Sequence, residues 1–284
     1  ESIIRFKMEK PKNKFTYKVR NIVFSYLKKR GYTIKTHIGR KAFIDLFIKL
    51  KPVSMQDTLI RVGPKGDGGY LVPNFLENIK ACFSPGVAET AAFEEEVYTK
   101  FNIKSHLADY SVNKMPTEND NFSFTKKFID ISESPEKIRL SDWMHKLENI
   151  KEDNDFMLQM DIEGAEWRVL YDAPIEILEK FRIMVIEFHK VSQYLSEHGS
   201  FWLIDNLLRK LSDKFSVVHI HPNNCLPVTV IHDIKIPDVV EITFLRNDYV
   251  DESDKKLVFP HRFDEKNVPE NDDVIMQQIW DLKY

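Results

Sequence analysis

Residues 156–170 read FMLQMDIEGAEWRVL. The opening FMLQM is apolar apart from Gln159, as expected of a strand covered on both faces. Three carboxylates then appear within six residues, Asp161, Glu163 and Glu166, grouped around Gly164. They suit a solvated turn that starts a helix, because acids favour helix N-termini. They equally suit the rim of an active site, because open α/β sheets bind ligands beyond the carboxyl ends of their strands.

The flanking segments decide the fold class. Strand candidates are IKACFS (79–84), IKSHLADYS (103–111), FTKKFIDIS (124–132), RIMVIEFH (182–189), FSVVHIH (215–221) and VVEITFLRN (239–247). Between them lie helical stretches: ETAAFEEEVYTKF (89–101), LSDWMHKLENI (140–150), capped by Ser141 or Asp142, and SFWLIDNLLRKLSDK (200–214). Apolar strands alternating with helices predict an α/β domain with a mostly parallel sheet. TLIRVGPKGDGGYLVP (58–73) reads as two short strands around a glycine-rich turn.

Three regions follow. Residues 1–51 form a basic helical extension, with KFTYKVRNIVFSYLKKRGY stopping at Gly31 and KAFIDLFIKL ending before Pro52. Its lysines fit a solvated face or a contact with a membrane surface or partner domain. Residues 52–250 are the main domain. Residues 251–284 form an acidic, proline-bearing tail that packs on the same domain and is irregular until IMQQIWDL, a short helix candidate. The first residue is Glu1 rather than Met, which is read as a piece of a larger multidomain protein.

Bulk properties exclude several classes. With 41 basic and 44 acidic residues the net charge is −3, which gives no reason to expect nucleic-acid binding. Cys82 and Cys225 make neither a disulfide framework nor metal-ligand spacing, so a reducing, cytoplasmic setting is expected. No apolar run reaches the roughly 18 residues of a membrane helix.

The strand ends supply the chemistry. The first delivers Ser84-Pro85-Gly86-Val87 ahead of a helix, a turn where backbone N–H groups can meet a ligand. Asp109, 23 residues after Gly86, suits a ribose diol. The single glycine is not the G-x-G-x-x-G of a dinucleotide site, which points to a nucleoside without pyrophosphate; S-adenosylmethionine fits. Glu187 and His189 share a strand face, as do His219 and His221. With Asp161 these can supply a general base or bind a divalent ion such as Mg²⁺ or Mn²⁺ through Asp161, Glu187 and His219. Asp67, Gly69 and Tyr70, in DGGY, make either a hairpin turn or a backbone contact with ligand.

In order along the chain, RVGPKGDGGYLVP, FSPGVAETAAFEEE, HLADYSV, LSDW, LQMDIEGAEWRVL, VIEFH, HIHPNN and VVEITFLRND resemble the FkbM-type S-adenosylmethionine-dependent methyltransferases. LQMDIEGAEWRVL is the most specific of these. The resemblance implies a Rossmann-like class I methyltransferase sheet of seven strands, one antiparallel, and methyl transfer to oxygen, often on a sugar hydroxyl of a glycan. It departs at the first strand, where Phe83-Ser84-Pro85-Gly86-Val87-Ala88-Glu89 stands for the family's D-V-G-A-N-x-G. Glu89 or Glu94 would then receive the cofactor's ammonium, and DGGY its carboxylate. Asp142 belongs to the expected cofactor site, and Trp143 either stacks on adenine or fills the core. Asp161, Glu187, His189 and His221 are the catalytic candidates. N-methylation, or a non-catalytic glycan-binding module on this fold, are the alternatives.

Overall fold

The computed structural model describes residues 14–31, 38–55, 59–148, 155–196 and 198–276. Helices α1 (Lys14–Lys29) and α2 (Arg40–Lys49) come first. A hairpin follows, β1 (Leu59–Val62) and β2 (Tyr70–Pro73), paired antiparallel. Then come β3 (Ile79–Pro85), α3 (Ala92–Phe101), β4 (Lys104–Ala108) and β5 (Ser123–Thr125). The short β6 (Phe128–Ile129) and β7 (Lys137–Ile138) pair with each other, and α4 (Leu140–Leu147) follows. Next are β8 (Asp155–Met160), α5 (Glu166–Asp172), α6 (Ile175–Leu178) and β9 (Phe181–Phe188). The chain continues through α7 (Val191–Ser196), α8 (His198–Ser212) and β10 (Phe215–Asn223). The hairpin β11 (Thr229–Ile231) and β12 (Ile234–Ile236) precedes β13 (Val239–Arg246).

Seven strands form the central sheet in the order β10-β13-β9-β8-β3-β4-β5. Only β13 runs antiparallel to its neighbours. This is the Rossmann-like class I methyltransferase arrangement. The chain winds outward from β3 through β4 to β5, then returns to β8 and winds the other way. The winding therefore reverses between β3 and β8, which opens a crevice beyond their carboxyl ends.

Both sheet faces are covered, which explains the near-continuous apolar strands. Phe156, Leu158 and Met160 of β8 join one core with Phe47 of α2, Trp143 of α4 and Leu207 of α8. Met157, between them, faces the opposite core with Tyr70, Phe93 and Val185. All eight residues of β9 are buried. Helix α2 thus shares the core of the main domain through Phe43, Ile44, Leu46 and Phe47.

Three local expectations change. FTKKFIDIS is not one strand: Lys126 and Lys127 break it, so Ser123–Thr125 stays on the sheet while Phe128–Ile129 turns to pair with Lys137–Ile138. Ser141 and Asp142 do not cap α4, which begins after Arg139 and has no side-chain cap. The hairpin Thr229–Ile236, with His232 and Asp233 at positive φ in its turn, carried no glycine to signal it. Most of the helix candidate IMQQIWDL lies outside the described residues.

Candidate active site

The crevice holds a cavity of about 460 Å³, within the roughly 300–1,000 Å³ of small-molecule sites. Its floor is the turn after β3. Gly86 sits at φ 92°, and a Cβ there would stand 1.5 Å from the Asp161 carbonyl oxygen. Only glycine lets the two strand ends touch, and Asp161 N–H donates to Pro85 O (3.2 Å) to close the contact. Asp109 lies at the end of β4 and lines the cavity. Its carboxylate accepts from Ala88 N–H (2.9 Å) and from Ser111 N–H and Oγ (both 2.7 Å), which fixes it toward the turn.

The outer wall was not foreseen. Phe128 and Ile129 line it together with Asp130, Lys137 and Arg168. Asp130 accepts from Arg168 Nε (2.7 Å) and Lys137 Nζ (2.6 Å). The Arg168 guanidinium, helped by Lys137, holds the Asp130 carboxyl well below the usual carboxylate range despite burial. The aromatic at this cavity is Phe128, 42% exposed, and not Trp143. Trp143 is buried, packs edge-on against Phe83 (5.2 Å) and donates Nε1–H to Thr125 Oγ1 (3.1 Å). Its role is in the core. Neither Asp142 nor the exposed Glu89 lines the cavity.

At one end of the cavity the carboxylates converge. Asp161 and Glu163 line it and also face His189, whose Nε2 lies 3.8 Å from Asp161 Oδ1 and 3.5 Å from Glu163 Oε2. Glu187 Oε1 is 3.9 Å from the same nitrogen. On the other side of the ring, Nδ1 lies 3.1 Å from Glu166 Oε1. Glu166 begins α5, is fully buried, and accepts from Ile162 N–H (3.0 Å) and Gly164 N–H (3.1 Å). It is therefore both a helix-start residue and the group that orients His189. The signal for the second role was the following β9, which delivers His189 beside it.

Burial raises Asp161 and Glu187. Asp161 Oδ1 is fully buried and finds no hydrogen-bond partner among the described residues. Burial, then the neighbouring Glu187, pushes the Asp161 carboxyl up to about 8. Glu187 is raised by burial and by Asp67, although Tyr70 O–H (3.1 Å) and Asn223 Nδ2–H (3.1 Å) donate to it. Burial opposes a charged His189, but Glu166, Asp161 and Glu187 outweigh it and lift the ring to about 9. One donor atom from each of Asp161, Glu187 and His189 lies within 4.8 Å of the others, close enough to share a divalent ion.

His219 is not in this group. It and His221 meet a different carboxylate, Asp264 of the tail, at 2.9 Å and 3.6 Å. A row crosses the sheet here, since Glu241 on β13 sits between Glu187 and His221 in register. Asn267 of the tail donates to Glu241 (2.7 Å) and to Asp67 (3.2 Å). Tyr70 is buried and linked through Gln159 (3.4 Å) to Ser84, which donates to Gln159 Oε1 (2.6 Å) and contacts Glu94. Ser84 and Glu94 are thus a buried support beneath the turn. Gly69 presses on Pro64 and Arg61 and leaves no room for a side chain.

The Methyltransferase FkbM domain pattern matches residues 52–215, more than half of the chain. The chain belongs to the FkbM methyltransferase family. As a family member it is a methyltransferase, and S-adenosylmethionine is its expected methyl donor. No curated protein matches the chain. Among solved structures it is similar to a fibrillarin/Nop5p complex, at 14% identity over 60% of this chain and 74% of that one (TM-score 0.35). It is similar to Sp1610 of Streptococcus pneumoniae, a putative tRNA (m1A22) methyltransferase, at 9% identity over 65% and 69% (TM-score 0.34). A precorrin-6y C5,15-methyltransferase from Geobacter metallireducens gives 10% identity over 75% and 93% (TM-score 0.33). The FkbM match ends at Phe215, the first residue of β10, so the rest of β10, β13 and the tail, which carry His221, Glu241 and Asp264, lie beyond it.

Proposed function

We propose that this FkbM methyltransferase transfers a methyl group to a sugar hydroxyl of a glycan or glycoconjugate. One observation carries the reading: Asp161 lines the cofactor-sized cavity while its buried Oδ1 accepts no hydrogen bond among the described residues. Such an atom suits an incoming hydroxyl donor.

S-adenosylmethionine, when bound, supplies a methyl group made electrophilic by its sulfonium sulfur. Asp109 would hold its ribose hydroxyls, the Gly86 turn would let it approach the backbone, and Phe128 with Ile129 would cover its base. Asp161 would then take the acceptor hydroxyl's proton as that oxygen gains the methyl group and the methyl–sulfur bond breaks, which leaves the neutral thioether S-adenosylhomocysteine. A carboxyl near 8 is a far stronger base than an ordinary aspartate and is still ionised in part at neutral pH. His189, held by Glu166, keeps a positive charge beside it and opposes the repulsion from Glu187. Glu163, exposed at the cavity edge, would offer acceptors to further sugar hydroxyls. Most of the rate gain comes from holding the acceptor oxygen in line.

In this reading residues 52–250 form the catalytic unit in a cytoplasmic setting, with residues 1–51 as an N-terminal addition and residues 251–284 as a tail along the acceptor side. Incubation with labelled S-adenosylmethionine and a glycan panel, followed by mass analysis, tests it. Methylation of amines but not of glycans would favour N-methylation, which the same carboxylates could serve by attracting a cationic amine. Absence of any S-adenosylhomocysteine binding, with Asp109→Ala then without effect, would instead favour a non-catalytic glycan-binding module.

A metal-assisted version rests on the spacing of Asp161, Glu187 and His189. Those three would hold a Mg²⁺- or Mn²⁺-type ion, with Glu166 orienting the histidine as second partners commonly do. The ion would supply Lewis acidity to the acceptor hydroxyl. Turnover that survives dialysis against a chelator would exclude it.

A further inference from the structure

Charge is divided unevenly along the chain. The first 51 residues carry 15 basic and 3 acidic side chains, whereas the other 233 carry 26 and 41. Helix α1, KFTYKVRNIVFSYLKK, has five basic residues and no acidic one. A helix that only faces water ordinarily mixes both signs, which supports it through i, i+4 pairs and keeps it soluble.

The same helix has an apolar stripe that no described residue buries. Val19, Ile22, Val23 and Tyr26 fall at the i, i+3, i+4, i+7 spacing of one helix face. All four are exposed, Ile22 by 62% and Tyr26 by 55%. Lys28 is exposed on the opposite side, and Lys18, Ser25 and Lys29, also exposed, flank the stripe beside Ile22. Arg30 Cζ stands 5.1 Å from the centroid of the Tyr26 ring, at the end of the stripe. At about 24 Å, α1 is shorter than a membrane span. No helix among the described residues is long and apolar enough to cross one.

We infer that α1 lies on an anionic bilayer surface, with the stripe from Val19 to Tyr26 in the headgroup boundary and its lysines against anionic lipid headgroups. The occupant follows from the combination. A nucleic-acid backbone would take the charge but not cover the apolar stripe. A protein groove would cover the stripe but does not call for the complete loss of acids on the polar face. A lipid surface takes both, through buried apolar area and electrostatic attraction together. The acidic remainder of the chain would be repelled by the same surface, which leaves α1 as the point of attachment.

The test is sedimentation of the full chain with vesicles of phosphatidylcholine alone or with about a third phosphatidylserine. The chain is expected to sediment with the anionic vesicles only, and to be released as salt rises from about 0.05 M to about 0.5 M. K28E/K29E and I22E/V23E should each weaken sedimentation about tenfold or more. Both variants should keep wild-type S-adenosylhomocysteine affinity, since α1 does not line the cavity, so a failure here is separate from the methyltransferase reading. Absence of binding to anionic vesicles, or equal binding by both variants and wild type, would overturn the inference. So would retention by I22E/V23E alone, which marks a plain polyanion binder. A dimer without lipid that I22E/V23E dissociates would also overturn it, because a second copy would then cover the stripe.

Discussion

Glu166 and His189 face each other across the strand ends of β8 and β9, Oε1 to Nδ1 at 3.1 Å. The carboxylate is anchored by two backbone N–H groups, so it holds the ring rather than following it. Glu166→Gln should therefore drop the His189 pKa from about 9 toward its ordinary 6.5, as read by NMR titration. Activity should fall about 10- to 100-fold, the usual cost of losing a carboxylate behind a functional histidine. The pair also sets a stability window. His189 is raised, so its contribution is complete below 6.5 and lost as pH rises through about 9. Glu166 is lowered from 4.5, so its contribution is lost in acid. An unchanged His189 titration in the variant would refute the coupling.

Asp161 is raised from 3.8 to about 8, which has two consequences of opposite sign. The base form grows with pH, so kcat/KM should climb up to about pH 8 and then level. Stability should move the other way, because ionising this buried acid costs the fold increasingly between 3.8 and about 8. Asp161→Asn should lower kcat about 100- to 10,000-fold while leaving S-adenosylhomocysteine affinity within a few-fold. A flat pH–rate profile in that range would show that the base is another group. A bound divalent ion would shift the rising limb to lower pH, because its ligands must be deprotonated.

Much of the fold was legible because both periodicity and strand ends are local properties. The runs 156–160 and 182–188 could be buried only between two layers, and Asp161, Glu187 and His189 could be placed from strand spacing alone. What failed depends on long-range packing. Trp143 goes to the core because Phe83 and Thr125 meet it there, which its own neighbours in sequence do not reveal. His219 has the same spacing from His221 as Glu187 from His189, yet its strand lies two positions further along the sheet from Asp161. Its partner, Asp264, comes from a tail with no strand or helix pattern to announce it.

Gly86 is required by contact as much as by conformation. At φ 92° any side chain is strained, and a Cβ would overlap the Asp161 carbonyl at 1.5 Å. Gly86→Ala should destabilise the fold by about 2–5 kcal/mol, from backbone strain and overpacking together. Denaturant unfolding measures this directly. Gly39→Ala is the control, since no atom of the described residues lies within 4 Å of its added Cβ and its φ is −64°. Equal stability of the two variants would mean that the strand ends do not meet as described.

Asp264 fastens the tail to the sheet through His219 at 2.9 Å and His221 at 3.6 Å, and accepts from the backbone of His261 at 2.7 Å. Burial works against its charge, but the two histidines outweigh it and hold the carboxyl well below the usual range. His221 is likewise disfavoured by burial yet lifted to about 9 by Asp264 and Glu241. The histidine's contribution is complete below 6.5 and fades as pH rises through about 9. The aspartate's is present above 3.8 and fades in acid. The tail should thus be held best between roughly pH 4 and 6.5 and loosen above about 9. Limited proteolysis at stepped pH reads this, with cleavage between residues 255 and 272 rising in alkali. Asp264→Asn should give that cleavage already at neutral pH, because it leaves the buried, charged His221 without its counter-charge. A variant as resistant as wild type would place the anchoring elsewhere, at Asn267 with Glu241 or at Asn224 with Val268.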